Sequence, residues 1–348
     1  MIYYNWKKGK GNKSLKVLLY FEGEKMLQKS GIGRAFEHQK KALESAGVDY
    51  TTDAKSNDYD ILHINTYGLN SWKMIRQAKR QGKKVVYHAH SNAEDFKNSF
   101  LGSNAIVSLY KKYIVNLYSS GDHLITPTLY AKRILQSYGI RKPIDVVSNG
   151  INLTQYRPDT RKEQKFRDYF HLAADQKVII SVGLYFQRKG LIDFVEVARH
   201  FPQYKFIWFG HISLYSVPKD IRKIVQYDHP DNVIFPGYIK GNVIEGAYSN
   251  ADLFFFPSYE ETEGIVVLEA LASLQNVLVR DIPVYEGWLQ DRQNCYMGHS
   301  NAEFSRLLEG IVEKRLPDLS KNGWQTAQEK SIENIGTELK NVYEMVLS

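Results

Sequence analysis

Short runs of β-branched and aromatic residues alternate along the chain with longer segments whose apolar positions recur every three or four residues. This alternation predicts βαβ units, in which buried parallel strands are joined by amphipathic helices. The apolar runs place strands at 16–21, 61–65, 84–88, 123–126 and 145–147, and a second series at 178–182, 206–209, 233–235, 253–256 and 277–279. Two such series predict an α/β protein of two doubly wound domains. Between them runs a polar stretch from Asn149 to about Lys165, holding Pro158 and a charge cluster, with too few apolar side chains to pack across. The expected division is 1–155 and 156–325, followed by a terminal segment, 326–348. In that segment Ile332, Ile335, Leu339, Val342, Tyr343 and Val346 share one face of an amphipathic helix, free to pack on either domain.

Composition narrows the class. A chain of 348 residues, 43% apolar and 24% charged, excludes a disordered or collagen-like protein and allows two real cores. Cys295 stands alone, so there is no internal disulfide and no cysteine-rich zinc site, which favours a reducing, cytoplasmic compartment. The charged segment 1–16 lacks the apolar core of a signal peptide, and no apolar run reaches membrane-spanning length. Residues 1–150 carry 24 Lys+Arg against 12 Asp+Glu, whereas the remainder carries 22 against 26. The basic half fits a polyanion, either nucleic acid or an anionic membrane surface, or else a solvated basic face. The 24 tyrosines and 5 tryptophans suit interfaces where one end of a ring is wet.

Several clusters carry chemistry. Gly31-Ile32-Gly33 precedes a helical run at 34–46, where free backbone N–H groups and the helix dipole favour an anion; a plain turn explains the pair equally well. A dinucleotide fingerprint would need glycine at Phe36. Gly183, Arg188 and Lys189 lie between the strand at 178–182 and a helix at 191–200. Two cations at the carboxyl end of a parallel strand form a clamp suited to a diphosphate, because open α/β sheets bind ligands there. Glu261 follows the strand at 253–256, and Glu269 lies eight positions on, inside the next helix. Backbone groups of Gly264, Ile265 and Val266 at that helix's start suit phosphate oxygens, and Glu269 suits ribose hydroxyls. Helix-dipole stabilisation accounts for Glu261 and Glu263, but not for Glu269 in an otherwise apolar helix.

His88 and His90 end the strand at 84–88, and a histidine there can polarise a substrate hydroxyl or phosphate. The two rings are expected on opposite faces, with at most one in the cleft. No third ligand supports zinc. Asp58-Tyr59-Asp60 imitates a metal-binding DxD but precedes its strand, at the wrong end of the sheet.

Together these residues resemble glycosyltransferase family 4 of the GT-B fold over nearly the whole chain. Glu261 and Glu269 match its EX7E motif, Arg188-Lys189 its basic pair, Asn149-Gly150-Ile151-Asn152 its interdomain turn and His90-Ser91 its acceptor-side histidine. The resemblance implies retaining transfer from a nucleotide diphosphate sugar without an obligatory metal. Arg188 and Lys189 would then neutralise the leaving diphosphate, Glu269 hold the ribose, Glu261 contact the donor sugar and His90 bond near the reacting centre. Gly31 and Gly33 would lie near the phosphates. Glu263 replaces an aromatic common in the family, Leu274 a glycine and Asn276 a proline, and the glycine pair usual before Ile282-Pro283 is absent.

The segments 30–35, 88–96 and 280–285 look like those of Gram-positive bacterial diacylglycerol glycosyltransferases, especially enzymes adding a second hexose to α-monoglucosyldiacylglycerol. That implies a UDP-galactose or UDP-glucose donor, a glycolipid acceptor and a peripheral place on the inner membrane face. Arg76, Lys79, Arg80 and Lys83 fall at i, i+3, i+4, i+7, and an apolar and tyrosine stripe runs from Ile106 through Tyr110, Tyr113 and Leu117 beside Lys111 and Lys112. Such faces suit an anionic leaflet, although a solvated face and ordinary packing on the sheet also account for them. A family member using a polysaccharide or polyprenyl-linked acceptor is the alternative. A non-catalytic nucleic-acid-binding protein leaves the paired glutamates without purpose, so no nucleic-acid partner is expected.

Overall fold

The computed structural model describes residues 15–23, 27 and 30–348; the amino-terminal segment 1–14 on which the signal-peptide reading rests lies outside them. Two six-stranded parallel sheets form. The first holds β1 (Lys16–Tyr20), β2 (Asp49–Thr51), β3 (Ile61–Ile64), β4 (Lys84–His88), β5 (His123–Thr126) and β6 (Ile144–Val146), in the order β2-β1-β3-β4-β5-β6. The second holds β7 (Val178–Val182), β8 (Lys205–Phe209), β9 (Val233–Gly237), β10 (Leu253–Phe256), β11 (Val277–Arg280) and β12 (Tyr296–Gly298), in the order β12-β11-β10-β7-β8-β9. Central strands such as β3, β5, β7 and β10 are buried throughout, which is why they read as unbroken apolar runs. In each sheet the strand order reverses once, between β1 and β3 and between β7 and β10, and a crevice opens at such switch points.

The terminal helix chooses its side. Ile332–Leu347 buries Ile332, Ile335, Leu339, Val342 and Tyr343 against Val17, Leu19, Phe36 and Leu43 of the first half. Its neighbour, Ser320–Glu329, packs on the second half instead, with Gly323 against Leu271. The chain therefore passes between the halves twice, and the two passages are bonded. Ile151 N–H donates to the Lys330 carbonyl at 2.9 Å, and Ile332 N–H to the Ile151 carbonyl at 3.1 Å.

Candidate active site

Segments following β1, β4, β7, β8, β9 and β10 line a cavity of about 850 Å³ between the two sheets. It gathers Gly31, His90, Gly183, Arg188, Lys189, Glu261, Gly264, Ile265, Val266 and Glu269. Of the residues expected to bind donor or act in the transfer, Gly33 alone does not line it. The helix begins at Gly31 rather than at 34, because the Ser30 side chain caps it, and the Gly33 N–H is taken by Ser30 Oγ at 3.3 Å.

Arg188 and Lys189 occupy a single turn, Gln187–Lys189, between β7 and the helix Leu191–Arg199. Gly190 closes this turn at φ 76°, and a Cβ there would stand 2.2 Å from the Pro257 carbonyl oxygen, so the loops after β7 and β10 can meet only at glycine. Lys189 Nζ consequently reaches Glu261 Oε1 at 2.5 Å, where Ser258 Oγ also donates at 2.7 Å. Burial pulls the Lys189 pKa down to about 8, against the opposing pull of Glu261. Burial pushes Glu261 upward, but the charges of Lys189 and Arg188 and the bonds to Lys189 and Ser258 together hold it below its ordinary value. Arg188 spans the cleft: Nε donates to Ser99 Oγ of the first half at 2.8 Å and Nη1 to the Glu260 carbonyl at 2.8 Å.

The other glutamate lies in the helix Ile265–Ala272 with its side chain wholly buried. Glu269 Oε2 accepts from Tyr248 Oη at 2.5 Å and from Arg34 Nη1, contributed by the first half, at 3.1 Å. Between the two glutamates, Glu263 faces the connection after β6. Its carboxylate accepts from Ser148 Oγ, from Asn149 N–H at 3.1 Å and from Asn149 Nδ2 at 2.7 Å.

His90 is buried at the cavity wall, and its Nε2 lies 3.0 Å from Asn65 Oδ1. An amide oxygen only accepts, so this contact puts the ring proton on Nε2. Burial lowers the His90 pKa to about 3, so the ring is neutral. The expectation that His88 and His90 point to opposite faces is corrected: the rings stack, with centroids 3.9 Å apart and 14° between planes. Residues two apart in an extended segment share a face. His90 alone of the two lines the cavity; His88 is buried behind it, 3.3 Å from His63, which in turn lies 2.7 Å from Tyr343 Oη of the terminal helix.

Arg34, Asn65, Asp95, Asn149 and Glu263 were not assigned roles from sequence. Arg34 directly follows the glycine pair, and Asp95 lies within the family-like stretch 88–96, so a positional signal existed for both. Asp95 lines the cavity and is raised by burial, although Arg188 opposes this. Asp58 and Asp60 bind Lys16 at the amino end of β3, away from the cavity, as expected from their place before the strand. Among the described residues no group of three His, Cys, Asp or Glu is arranged to hold a metal ion, and no helix is long and apolar enough to cross a membrane.

Known proteins share both sequence and fold with this chain. The model of Glycosyltransferase Family 4 matches residues 33–155, and that of Glycosyl transferases group 1 matches residues 162–329. The processive diacylglycerol alpha-glucosyltransferase of Acholeplasma laidlawii is 46% identical over 96% of this chain and 99% of its own. This chain is a family 4 glycosyltransferase of the GT-B fold. The glycosyltransferase is also 25% identical to the alpha-galactosylglucosyldiacylglycerol synthase of Streptococcus pneumoniae, over 93% of its own length and 87% of that relative's. Its fold matches sucrose-phosphate synthase of Thermosynechococcus elongatus with a TM-score of 0.77 at 18% identity, covering 95% and 99% of the two chains. Anabaena HepE, solved with UDP-glucose, gives 0.76 at 16% identity over 95% and 100%. The family resemblance and the two-sheet expectation both hold.

Proposed function

We propose that this glycosyltransferase moves a hexose from UDP-glucose or UDP-galactose onto α-monoglucosyldiacylglycerol with retention, giving an α-diglycosyldiacylglycerol. The observation that carries the reading is one cavity between two sheets that brings Lys189, Arg188 and both glutamates of the Glu261/Glu269 pair to the same ligand space. Residues 1–155 serve as acceptor domain and 156–325 as donor domain. Arg188 and Lys189 offset charge on the departing diphosphate, a task left to protein cations rather than to a metal. Glu269 Oε1 is buried without a protein partner, which suits a ribose hydroxyl. Glu261 contacts the donor sugar. Gly31 lies on the phosphate side, with Gly183, Gly264, Ile265 and Val266 along the nucleotide. In the transfer the bond from the anomeric carbon to the phosphate oxygen breaks, the acceptor oxygen bonds that carbon from the same face, and the acceptor proton passes to the leaving phosphate. Neutral His90 lines the cavity, where its ring can bond a sugar hydroxyl.

The names of the two diacylglycerol-dependent relatives support the lipid acceptor, and so does the surface beside the cavity. Phe96 and Phe100 line the cavity, and Leu101 next to them is 68% exposed. In the following helix, Ser103–Ser119, Ile106 and Leu109 are 49% and 71% exposed. Leu69, 75% exposed, opens the helix Leu69–Arg80, whose Arg76, Lys79 and Arg80 are exposed too, and Tyr113 Oη bonds the Tyr67 carbonyl between the two helices. Apolar tips among cations suit an anionic leaflet at the inner membrane face, each cation near the surface contributing about 1 kcal/mol.

Incubation with anionic vesicles containing monoglucosyldiacylglycerol, offering UDP-glucose and UDP-galactose separately, tests this. The expected product is an α-linked dihexosyl lipid from one donor, identified by mass and NMR. Transfer only to a water-soluble glycan or polyprenyl-linked sugar would move the acceptor to the other class. No UDP-sugar binding would overturn the donor assignment.

A further inference from the structure

Arg34 is a cavity-lining cation to which the sequence motifs assign no role. It stands in the first turn of the helix Gly31–Ser45 in the first half, yet its Nη1 crosses to Glu269 Oε2 in the second, 235 positions along the chain. Burial works against its charge, but Glu269 together with Tyr248, Tyr156 and Tyr238 more than compensates, so the guanidinium is firmly cationic. Two atoms of this pair are buried and bond nothing in the protein: Arg34 Nε, a donor, and Glu269 Oε1, an acceptor. Both belong to side chains that line the cavity, and an unpaired buried donor and acceptor cost free energy unless a ligand presents one acceptor and one donor. A nucleoside diphosphate does so: ribose hydroxyls donate, and phosphate and ribose oxygens accept. Gly31 lines the same wall, at the positive end of the same helix.

We propose that Arg34 is a nucleotide-binding residue supplied by the first half, donating from Nε to a diphosphate oxygen while its Nη1 holds Glu269 toward the ribose. The donor site is then complete only when both halves meet, so nucleotide binding and closure of the cleft are coupled through one side chain. This rests on the UDP-sugar reading of the cavity.

Calorimetric titration of wild-type protein, Arg34→Met and Arg34→Lys with UDP and with uridine tests it. The expected result is a 10- to 100-fold loss of UDP affinity in Arg34→Met, a smaller loss in Arg34→Lys, and a change under 3-fold for uridine. A raised KM for the UDP-sugar should accompany it. Glu269→Gln combined with Arg34→Met should bind UDP more tightly than the product of the single losses predicts. Equal weakening of UDP and uridine by both Arg34 variants would mean a structural role and overturn the proposal, as would UDP affinity within 2-fold of wild type. Should Arg34→Met not fold, Arg34→Lys decides by the same comparison. Failure of the wild type itself to bind UDP would instead overturn the donor reading.

Discussion

Glu263 and Asn149 are joined by two hydrogen bonds, 3.1 Å from the backbone N–H and 2.7 Å from the side-chain amide, across the seam between the halves. With Ser148 Oγ also donating, one buried carboxylate fixes the first passage of the chain between the two sheets to the loop that carries Glu261. Glu263→Ala leaves three donors, one buried and two half-buried, without this acceptor, and bonds to a charged acceptor contribute about 1.5–3 kcal/mol each before compensation by water. The expected loss is about 3 kcal/mol, read from thermal or urea unfolding. Glu263→Gln keeps one acceptor oxygen and should lose about half as much. Equal stability of Glu263→Ala and wild type would remove this bond from any role in holding the seam.

Lys189 and Glu261 give the donor side its pH dependence. With Lys189 at about 8, the free enzyme keeps this cation at neutral pH and loses it as pH rises through that value. Because kcat/KM reports groups of the free enzyme, it should fall above pH 8. Lys189→Arg should move the alkaline limb upward by more than a unit, since guanidinium does not deprotonate in this range. Lys189→Met should cost at least 100-fold in kcat/KM at pH 7, leaving the buried Glu261 without its counter-ion. An alkaline limb unchanged in Lys189→Arg would assign it to another group.

Three buried neutral histidines predict acid sensitivity of the fold. Burial holds His63 and His90 at about 3 and His88 well below its ordinary value, with the neighbouring imidazoles adding to this for His63 and His88. In the unfolded chain each titrates near 6.5. Between these values the unfolded state binds more protons, so the stability is complete above about pH 6.5 and is lost as pH falls. Three such groups give a slope approaching about 4 kcal/mol per pH unit below pH 5.5. The melting temperature should therefore be flat from pH 8 to 7 and drop steeply below 6. His63→Gln should flatten that drop by about a third; a melting curve unchanged down to pH 5 would contradict the buried neutral state.

The parts of this architecture that could be read in advance share a physical cause. Parallel strands buried on both faces leave unbroken apolar runs, so β4, β5, β7 and β10 were placed to the residue. The edge strands β2 and β12, three residues each, bury only one side and carry no such run. Arg188, Lys189 and Glu261 stood out because switch-point loops directly follow strands, and Glu269 because it is a lone charge in an apolar helix. Arg34, Asn65 and Glu263 acquire their partners only when distant segments meet, which no local spacing encodes. The stripe from Ile106 to Leu117 divides along its helix. Leu117 packs in the core and Ile106 is exposed, because a 17-residue helix, about 26 Å long, overruns a five-residue strand of about 17 Å.

The terminal helix owes its position to one missing methyl group. At Gly336 a Cβ would lie 2.1 Å from the Ala42 carbonyl oxygen and 3.0 Å from Ser45 Oγ, on the helix that also carries Arg34. Helix propensity favours Ala over Gly by about 1 kcal/mol, so an exposed site would gain from Gly336→Ala. Here the contact is with backbone, which cannot rotate away, and overpacking of a close interface costs about 1–3 kcal/mol. The second effect is the larger, so Gly336→Ala should lower stability by about 1 kcal/mol and Gly336→Val by more. Because the same helix places Tyr343 on His63, displacement should also release the buried imidazole and shift its NMR resonance. Stabilisation by Gly336→Ala would mean that the two helices stand further apart than this packing requires.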